Sequence, residues 1–374
     1  MVSKKITRTL LTVMVIFLLI CFSAAGFYYG FNYVLSQNSR FLKLNEQFQA
    51  ANFEIDKDTP GAVELVIPRA ADTKDIADIL DKKGIIENTF VFTLLSKFNG
   101  FDGTYMAGTH YVVKSMNYDE LMYVLSLKPH SVQVTFPEGL TYSEVKAKLK
   151  AAGVIFDEKV LDGMVRNPQI FLDYEFVTEI EKKEGRDWLL QGYLYPDTYE
   201  FDMNTDEETI IRTFLNNTEK KLIEEYVARA EKIGMTMDEV ITLASIIQTE
   251  CTLAEEMRTV SGIFHKRLNT EDWPHGLESC ATVNYLRKEA GQAIKLWLQT
   301  SDINAFESPY NTYIHEGLPP GPICSPGEDA IRAALWPENN KYWYFSATGD
   351  GANVFANTLA EHEKNIAKYQ NENN

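Results

Sequence analysis

The stretch Leu243-Ala244-Ser245-Ile246-Ile247-Gln248-Thr249-Glu250 is the one around which the rest of this chain is organised. Its apolar residues, together with Val240, recur at helical spacing, which predicts a helix with one buried face. Thr236 and Glu239 precede this run in the Thr-x-x-Glu pattern of a capping box, so the helix is predicted to begin there. Glu250 follows Ile247 by three residues and Ile246 by four, which places its carboxylate beside the apolar stripe.

Glu250 has the sequence context of a general acid. A second Thr-x-x-Glu pattern, from Thr252 to Glu255, predicts that a new helix begins at once and that the first ends near Glu250. A helix C-terminus and an apolar neighbourhood both disfavour a charged carboxylate, so a raised pKa is expected for this side chain. A glutamic acid that keeps its proton suits general acid catalysis. The alternative is a structural Glu that reaches water from the edge of the core, and such carboxylates outnumber catalytic ones.

The composition is that of a globular protein. The 374 residues are 45% hydrophobic and 24% charged, which suits two or three domains. The net charge of −17 argues against a nucleic-acid partner and against a protein that lies flat on anionic lipid. The six histidines show no paired ligand spacing, so the sequence predicts no metal site, and we expect no cofactor.

Four cysteines are few for a disulfide scaffold. Cys21 lies in an apolar N-terminal run, which leaves Cys251, Cys280 and Cys324. A bridge between Cys280 and Cys324 is one hypothesis, because their motifs are expected to flank one cleft. The other is that both are small buried hydrophobic residues.

Residues 10–30 are almost wholly apolar and long enough to span a bilayer. Lys4, Lys5 and Arg8 precede them, so residues 1–9 are predicted to be a cytoplasmic tail and the rest to lie outside the cytoplasm. A cleaved signal peptide is the alternative, because Phe22-Ser23-Ala24-Ala25 resembles a cleavage site. Residues 31–60 are then predicted to form a juxtamembrane stem.

A pattern of strand, proline, capped helix and glycine occurs twice. The first copy combines a strand at Glu64–Ile67 with Asp72-x-x-Asp75 and Gly84, and the second combines Val132–Phe136 with Thr141-x-x-Glu144 and Gly153. Between the copies, 108–113 predicts a strand and 115–127 a helix. We predict a small strand-helix module over residues 61–130, which either binds a polymer or serves as a spacer or docking face.

Residues 131–374 read as one mixed α+β domain. The aromatic-rich segment 191–199 suits either a wall for sugar rings or half-buried packing. The Gly- and Pro-rich segment 317–327 predicts a stiff loop that either walls a cleft or crosses over the core. A helix is predicted over 329–335, a strand over 342–345 and a last helix over 359–369.

Taken together, these pieces resemble the endolytic murein transglycosylases, the MltG or YceG-like family, from the apolar run to about Tyr369. The resemblance is carried by the following segments of this chain: 243–247, Glu250, Phe264-x-x-Arg267-Leu268, Ala281-Thr282-Val283, 310–313, 317–321 and 355–362. It implies an α+β protein with an N-terminal transmembrane helix, a LysM-like module at 61–130 and a catalytic domain at 131–374. The chain departs from the family pattern in two places, where Gln248 and Cys280 replace acidic residues.

The resemblance implies that Glu250 is the catalytic residue, with substrate-binding candidates Ser279, Thr282, Tyr310, Asn311, Thr312 and Tyr313. The implied reaction cleaves the β-1,4 bond between N-acetylmuramic acid (MurNAc) and N-acetylglucosamine (GlcNAc) in peptidoglycan and leaves a 1,6-anhydro end. Glu250 protonates the leaving oxygen and then, as a base, assists attack by the muramoyl 6-hydroxyl. The implied setting is the cell membrane, beside peptidoglycan polymerases such as penicillin-binding proteins.

The sequence leaves two alternative functions open. A hydrolysing muramidase needs a second carboxylate that faces Glu250, such as Glu255 or Glu278, because ordinary glycosidases use a carboxylate pair. A non-catalytic, membrane-tethered peptidoglycan-binding scaffold would bind glycan strands without turnover, and Gln248 and Cys280 favour it.

Overall fold

The computed structural model describes residues 2–37, 43, 46–48, 50, 55–68, 71–271, 273 and 275–372, and the predicted stem at 31–60 lies partly outside them. The described chain forms two compact units. The first comprises residues up to 131 together with 202–204, and the second comprises 132–201 and 205 onwards.

The chain begins with one long helix, α1 (Val2–Gln37), whose side chains are described for residues 12–31. Its segment Thr12–Phe31 has a mean hydropathy of 2.1 over 20 residues, long and apolar enough to cross a membrane. Large side chains such as Phe22 and Phe27 are exposed along it. The predicted apolar span is therefore present as a continuous helix.

Residues 62–126 of the first unit form a two-stranded antiparallel sheet with three helices: β1 (Ala62–Ile67), α2 (Thr73–Lys82), α3 (Thr89–Asn99), β2 (Gly108–Val113) and α4 (Tyr118–Ser126). The register pairs Ala62 with Val113 and Ile67 with Gly108. Leu65, Ile76 and Leu80 meet in its core. The capping box at Asp72 and Asp75 is present, as the sequence predicted.

The second unit is a mixed α+β structure with many short helices. Its elements are β3 (Ser131–Thr135), α5 (Tyr142–Ala151), α6 (Glu158–Arg166), α7 (Glu175–Thr178), β4 (Thr198–Asp202), α8 (Glu207–Lys221), α9 (Glu224–Lys232), α10 (Met237–Glu250), α11 (Ala254–Leu268), α12 (Cys280–Glu289), α13 (Thr300–Ile303), α14 (Glu328–Leu335), β5 (Tyr344–Ala347), β6 (Asn353–Ala356) and α15 (Leu359–Glu372). β3 pairs with β4, and β5 pairs with β6 in antiparallel register.

Helix α10 is the centre of this unit. Its side chains from Val240 to Ile247 are all buried, and α9, α11, α12 and α14 pack around it. The Thr236 hydroxyl accepts the Glu239 amide and the Glu239 carboxylate accepts the Thr236 amide, so the predicted capping box is confirmed. The helix ends at Glu250, as predicted.

The second capping box is wrong. Cys251 and Leu253 have extended backbone, so α11 begins only at Ala254 and no side chain caps it. Thr252 therefore lies one residue outside the capping position. The strand predicted at 342–345 also lies later, at Tyr344–Ala347, because the Tyr342 amide bonds the Asn340 side chain instead of a strand partner.

Candidate active site

Glu250 is held at the junction of two helices. It is the last residue of α10, and its backbone carbonyl accepts a hydrogen bond from Asn353 Nδ2 at 3.2 Å. Its Oε1 accepts the Ser279 hydroxyl at 2.5 Å and the Ala281 amide at 3.0 Å, both from the start of α12. Among the described residues no hydrogen bond reaches Oε2, which leaves that oxygen to carry a proton.

The pKa of Glu250 is raised above its ordinary value. Burial, which disfavours the charged form, is the largest cause. The Ser279 hydroxyl, the Ala281 amide and the Arg267 guanidinium each act in the opposite direction without overcoming it. The structure thus agrees with the raised pKa expected from the sequence, and a protonated carboxyl is what a general acid requires.

Glu250 opens onto a cleft of about 710 Å³. Arg267, Glu278 and Tyr313 line it on the side of α11 and α12. Strand β5 and helix α15 contribute further walls, through Tyr344 and His362 among others, whose rings stack at 5.2 Å. The cleft therefore places the Glu250 carboxyl among aromatic side chains, with Arg267, Glu278 and Lys295 as further charged groups in its lining.

Of the predicted substrate-binding residues, Tyr313 lines the cleft and Ser279 is connected to it only through Glu250. Ser279 contacts the Glu250 carboxyl, although its own side chain is buried. Tyr313 lines the cleft, and its hydroxyl is 3.1 Å from the Cys280 thiol. Burial raises the pKa of Cys280 to about 12, so this residue is a neutral thiol where the family pattern has an acid.

The other four predicted binding residues are buried behind the cleft. Thr282 and Thr312 share a hydrogen bond of 2.9 Å, and the Thr312 hydroxyl also accepts the Ser279 amide. Asn311 donates to the carbonyls of Ile303 and Phe306, and Tyr310 packs on Tyr285. In this arrangement the two threonines fix Ser279, and Asn311 and Tyr310 shape the loop before Tyr313.

The Gly- and Pro-rich loop at 317–327 crosses the core and is absent from the residues that line the described cleft. It is fastened to α10, because Ile323 N donates to Ser245 Oγ and Gly327 N donates to Gln248 Oε1. Gln248 is thus a support for this loop. Cys324 bonds the Ser245 carbonyl, and all four cysteines of the chain are described as free thiols, so the Cys280–Cys324 bridge is wrong.

The aromatic segment 191–199 is a packing element. Tyr193, Tyr195 and Tyr199 are buried, and the Tyr193 hydroxyl donates to Asp238 at 2.8 Å. Of the two alternatives that the sequence left open, core packing is the one observed.

Sequence reasoning missed three parts of the site. Arg267 was quoted only as part of a motif, yet its charge on the buried face of α11 was a usable signal. Asn353 ties β6 to the end of α10 through the Glu250 carbonyl. Segment Ile294–Leu298 lines the cleft although it has no regular structure, and no periodicity marks such a segment.

The fold and site define a mixed α+β protein with a buried glutamic acid of raised pKa at the wall of a cleft. The sequence profile of the YceG-like family matches residues 65–368, so the chain belongs to the YceG-like family.

Relatives named endolytic murein transglycosylase are similar over most of this chain. The one from Streptococcus pneumoniae strain D39 is 27% identical over 370 residues, which are 93% of this chain and 63% of that protein. The one from Bacillus subtilis strain 168 is 29% identical over 330 residues, which are 84% of this chain and 87% of that protein. This chain therefore spans less than two thirds of the length of the pneumococcal relative.

A crystal structure of a yceG-like protein from Listeria monocytogenes has the same fold. It is 28% identical in sequence and superposes with a TM-score of 0.54, covering 81% of this chain and 98% of that one.

Proposed function

We propose that this protein is a membrane-anchored endolytic lytic transglycosylase of peptidoglycan. It cleaves the β-1,4 bond between MurNAc and GlcNAc within glycan strands near the membrane and leaves a 1,6-anhydroMurNAc end. The names of the relatives support the class of substrate. The observation that carries the chemistry is Glu250, whose Oε1 is occupied by two donors while its pKa is raised.

In the proposed reaction Glu250 acts twice. Its proton, carried on Oε2, passes to the glycosidic oxygen as the bond from that oxygen to the anomeric carbon breaks. The muramoyl 6-hydroxyl oxygen then bonds to the anomeric carbon and gives its proton back to Glu250. No water is consumed and the acid is regenerated. One carboxyl suffices because the nucleophile belongs to the substrate and is already in position.

The residues around Glu250 divide into two proposed roles. Ser279 holds Glu250 Oε1, and Tyr313 faces the glycan as one aromatic contact of the cleft. Thr282, Thr312, Asn311 and Tyr310 act through these two as buried positioning residues. Cys280, neutral at physiological pH, leaves Glu250 as the acid of this wall.

We place the second unit outside the cytoplasm, held by α1 as a single-pass anchor with a cytoplasmic N-terminus. Segment 61–130 serves as a LysM-like glycan-binding module, since its elements follow the order β1, α2, α3, β2, with α4 after them. Peptidoglycan polymerases at the membrane are the proposed protein partners.

Digestion of purified sacculi by the full chain in detergent micelles tests the proposal. Lytic cleavage yields muropeptides that are lighter by one water than hydrolysis products, and mass spectrometry separates the two. We expect anhydro ends located within strands, because the cleavage is endolytic. Products that carry the full water would contradict the transglycosylase reaction, and binding without any product would favour the scaffold function.

One observation keeps hydrolysis as the second candidate. Glu278 lines the same cleft as Glu250, whereas Glu255 is exposed and lies apart from the described lining. Glu278 also has a φ of 51°, the only positive φ of a non-glycine residue in the described chain, and such positions concentrate at functional sites. If Glu278 were the second carboxylate, Glu278→Gln would abolish cleavage; the transglycosylase reaction predicts that cleavage continues.

A further inference from the structure

We propose that segment Ile294–Leu298 is a subsite for one N-acetylated sugar of the glycan, with Trp297 as its specificity-determining residue. The inference rests on the proposed function, because it takes glycan to be the occupant of the cleft. Its observations are separate from those that concern Glu250.

The segment is an irregular stretch that lies against the helix holding the acid. All five of its residues line the cleft that contains Glu250. Cys280 lines the same cleft as the segment and directly precedes Ala281, whose amide holds Glu250 Oε1. A sugar bound on this segment is therefore adjacent to the reacting bond.

The segment is fixed in place by polar contacts with α12. Asn284 donates to the Lys295 carbonyl at 2.9 Å and accepts the Lys295 amide at 3.0 Å, as a strand partner would. Arg287 donates to the Ala293 carbonyl and to buried Asp302, which also binds the Lys295 ammonium at 2.6 Å. An irregular segment with these contacts is preorganised, so ligand binding requires little further ordering.

The chemistry of the segment fits an acetamido sugar. Ile294 and Leu296 are 62% and 51% exposed, which is unusual for large apolar side chains in a cleft and offers surface to a pyranose face or an acetyl methyl group. The indole N–H of Trp297 is buried and has no hydrogen-bond partner in the described chain. A buried donor without an acceptor is costly, and an acetamide carbonyl would satisfy it.

Tryptophan fluorescence tests the subsite in a protein that cannot turn over. Trp297 is the only tryptophan among the described residues that line the cleft. In full-length Glu250→Gln protein in detergent micelles, we expect chitotetraose, a GlcNAc tetramer, to change the emission in a saturable manner. Adding Trp297→Phe should remove most of that change and raise Kd roughly tenfold. Adding Trp336→Phe, which removes an indole packed on Tyr226, should preserve both.

Trp297→Tyr keeps an aromatic face but replaces the indole N–H by a hydroxyl donor at another position. Its Kd for chitotetraose should therefore lie between those of the parent and of Trp297→Phe. Cellotetraose, which lacks the acetamido groups, should bind at least tenfold more weakly than chitotetraose. An unchanged Kd in Trp297→Phe, equal binding of the two tetramers, or absence of saturable binding would each overturn the subsite. Thermal unfolding midpoints of all variants show whether the fold is retained.

The subsite and the reaction can fail separately. If the wild-type chain releases anhydro products while Trp297→Phe has the same KM and kcat, the subsite is wrong and the proposed function stands. If the wild-type chain releases none but binds chitotetraose through Trp297, the proposed function is wrong and the subsite stands.

Discussion

Two opposed electrostatic influences meet at Glu250. The carboxyl lies at the C-terminus of α10, where helix carbonyls disfavour negative charge, and it receives the Ala281 amide from the N-terminus of α12, which favours negative charge. The Ser279 hydroxyl also favours the anion. The pKa is nevertheless raised, so loss of hydration outweighs both donors. The donors hold one oxygen in place, while burial lets the carboxyl keep its proton to a higher pH than an exposed glutamic acid would.

Replacing Glu250 by Gln tests whether this proton is the one used. Glu250→Gln keeps the size and hydrogen bonding of the neutral acid but cannot donate the proton. Release of anhydro products should fall by about 10² to 10⁴-fold or more. Glu255→Gln is the matched control, because Glu255 is exposed on α11 and lies apart from the described lining of the cleft, and it should retain wild-type activity. Near wild-type turnover in Glu250→Gln would remove Glu250 from the mechanism.

The raised pKa of Glu250 also predicts a pH dependence of stability. The folded state holds this proton to a higher pH than the unfolded chain, so the free energy of unfolding falls as pH rises from the ordinary Glu value through the folded pKa. Glu250→Gln removes this contribution. The difference in unfolding midpoint, wild type minus variant, should therefore decrease with pH over that window. A difference that increases with pH would mean that the folded-state pKa is lowered.

Ser279→Ala should alter the pH profile as well as the rate. The hydroxyl favours the charged form of Glu250, so its removal should raise the pKa of Glu250 further and move the alkaline fall in kcat to higher pH. The rate at the optimum should drop roughly five- to tenfold, because one of two bonds that orient the carboxyl is lost. A reduced rate with an unmoved alkaline limb would indicate that Ser279 only supports the fold.

At the scale of elements, polar contacts buried around α10 fix the chain that surrounds it. Asp238 near its N-terminus receives Arg186 through both carboxylate oxygens, at 2.5 and 2.9 Å, and the Tyr193 hydroxyl through one of them. Arg186 also reaches the Pro320 carbonyl, so one ion pair joins α10, the aromatic segment and the Gly- and Pro-rich loop. The loop is thus held at both ends of the helix, by Asp238 through Arg186 and by Gln248.

Breaking this ion pair should strongly destabilise the second unit. Asp238→Asn leaves a buried guanidinium without its counter-charge, which costs about 3–5 kcal/mol of unfolding free energy. Asp173→Asn is the matched control, because the Asp173 carboxylate pairs with Arg212 at 2.7 Å but is largely exposed, and it should change stability far less. Urea unfolding of the three proteins measures both effects; equal changes would mean that burial of the pair is irrelevant.

The sequence was sufficient for most features that local rules decide, the capping box predicted at Thr252 being the exception. The capping boxes at Thr236 and Asp72, the burial of the α10 face and its end at Glu250 depend on neighbours within four residues. It failed where distant residues decide. The 317–327 loop crosses the core because Ser245 and Gln248 accept hydrogen bonds from loop residues up to 79 positions further along the chain. The cleft wall at 294–298 depends on contacts with Asn284, Arg287 and Asp302. Neither set of contacts produces a periodic pattern in the sequence.

At the scale of the whole molecule, one membrane topology has to account for both the apolar helix and the position of the Glu250 site. Residues Thr12–Phe31 form a continuous apolar helix with no acidic or basic side chain within it. Its exposed apolar side chains are consistent with a membrane anchor, since a bilayer core of about 30 Å matches about 20 helical residues. With the proposed glycan substrate outside the cytoplasm, the basic residues ahead of the helix should remain inside.

The full-length protein should accordingly be a single-pass membrane protein. In intact spheroplasts, external protease should digest the second unit while a tag fused before Lys4 stays protected, and alkaline carbonate should leave the chain in the membrane fraction. A variant with Lys4, Lys5 and Arg8 changed to Gln should show less protection of the tag, because the positive flank that orients the helix is gone. Removal of residues 2–37 should release the rest from the membrane, which separates anchoring by α1 from binding by the two units. A mature soluble protein that begins near Ala25 would instead identify α1 as a cleaved signal peptide.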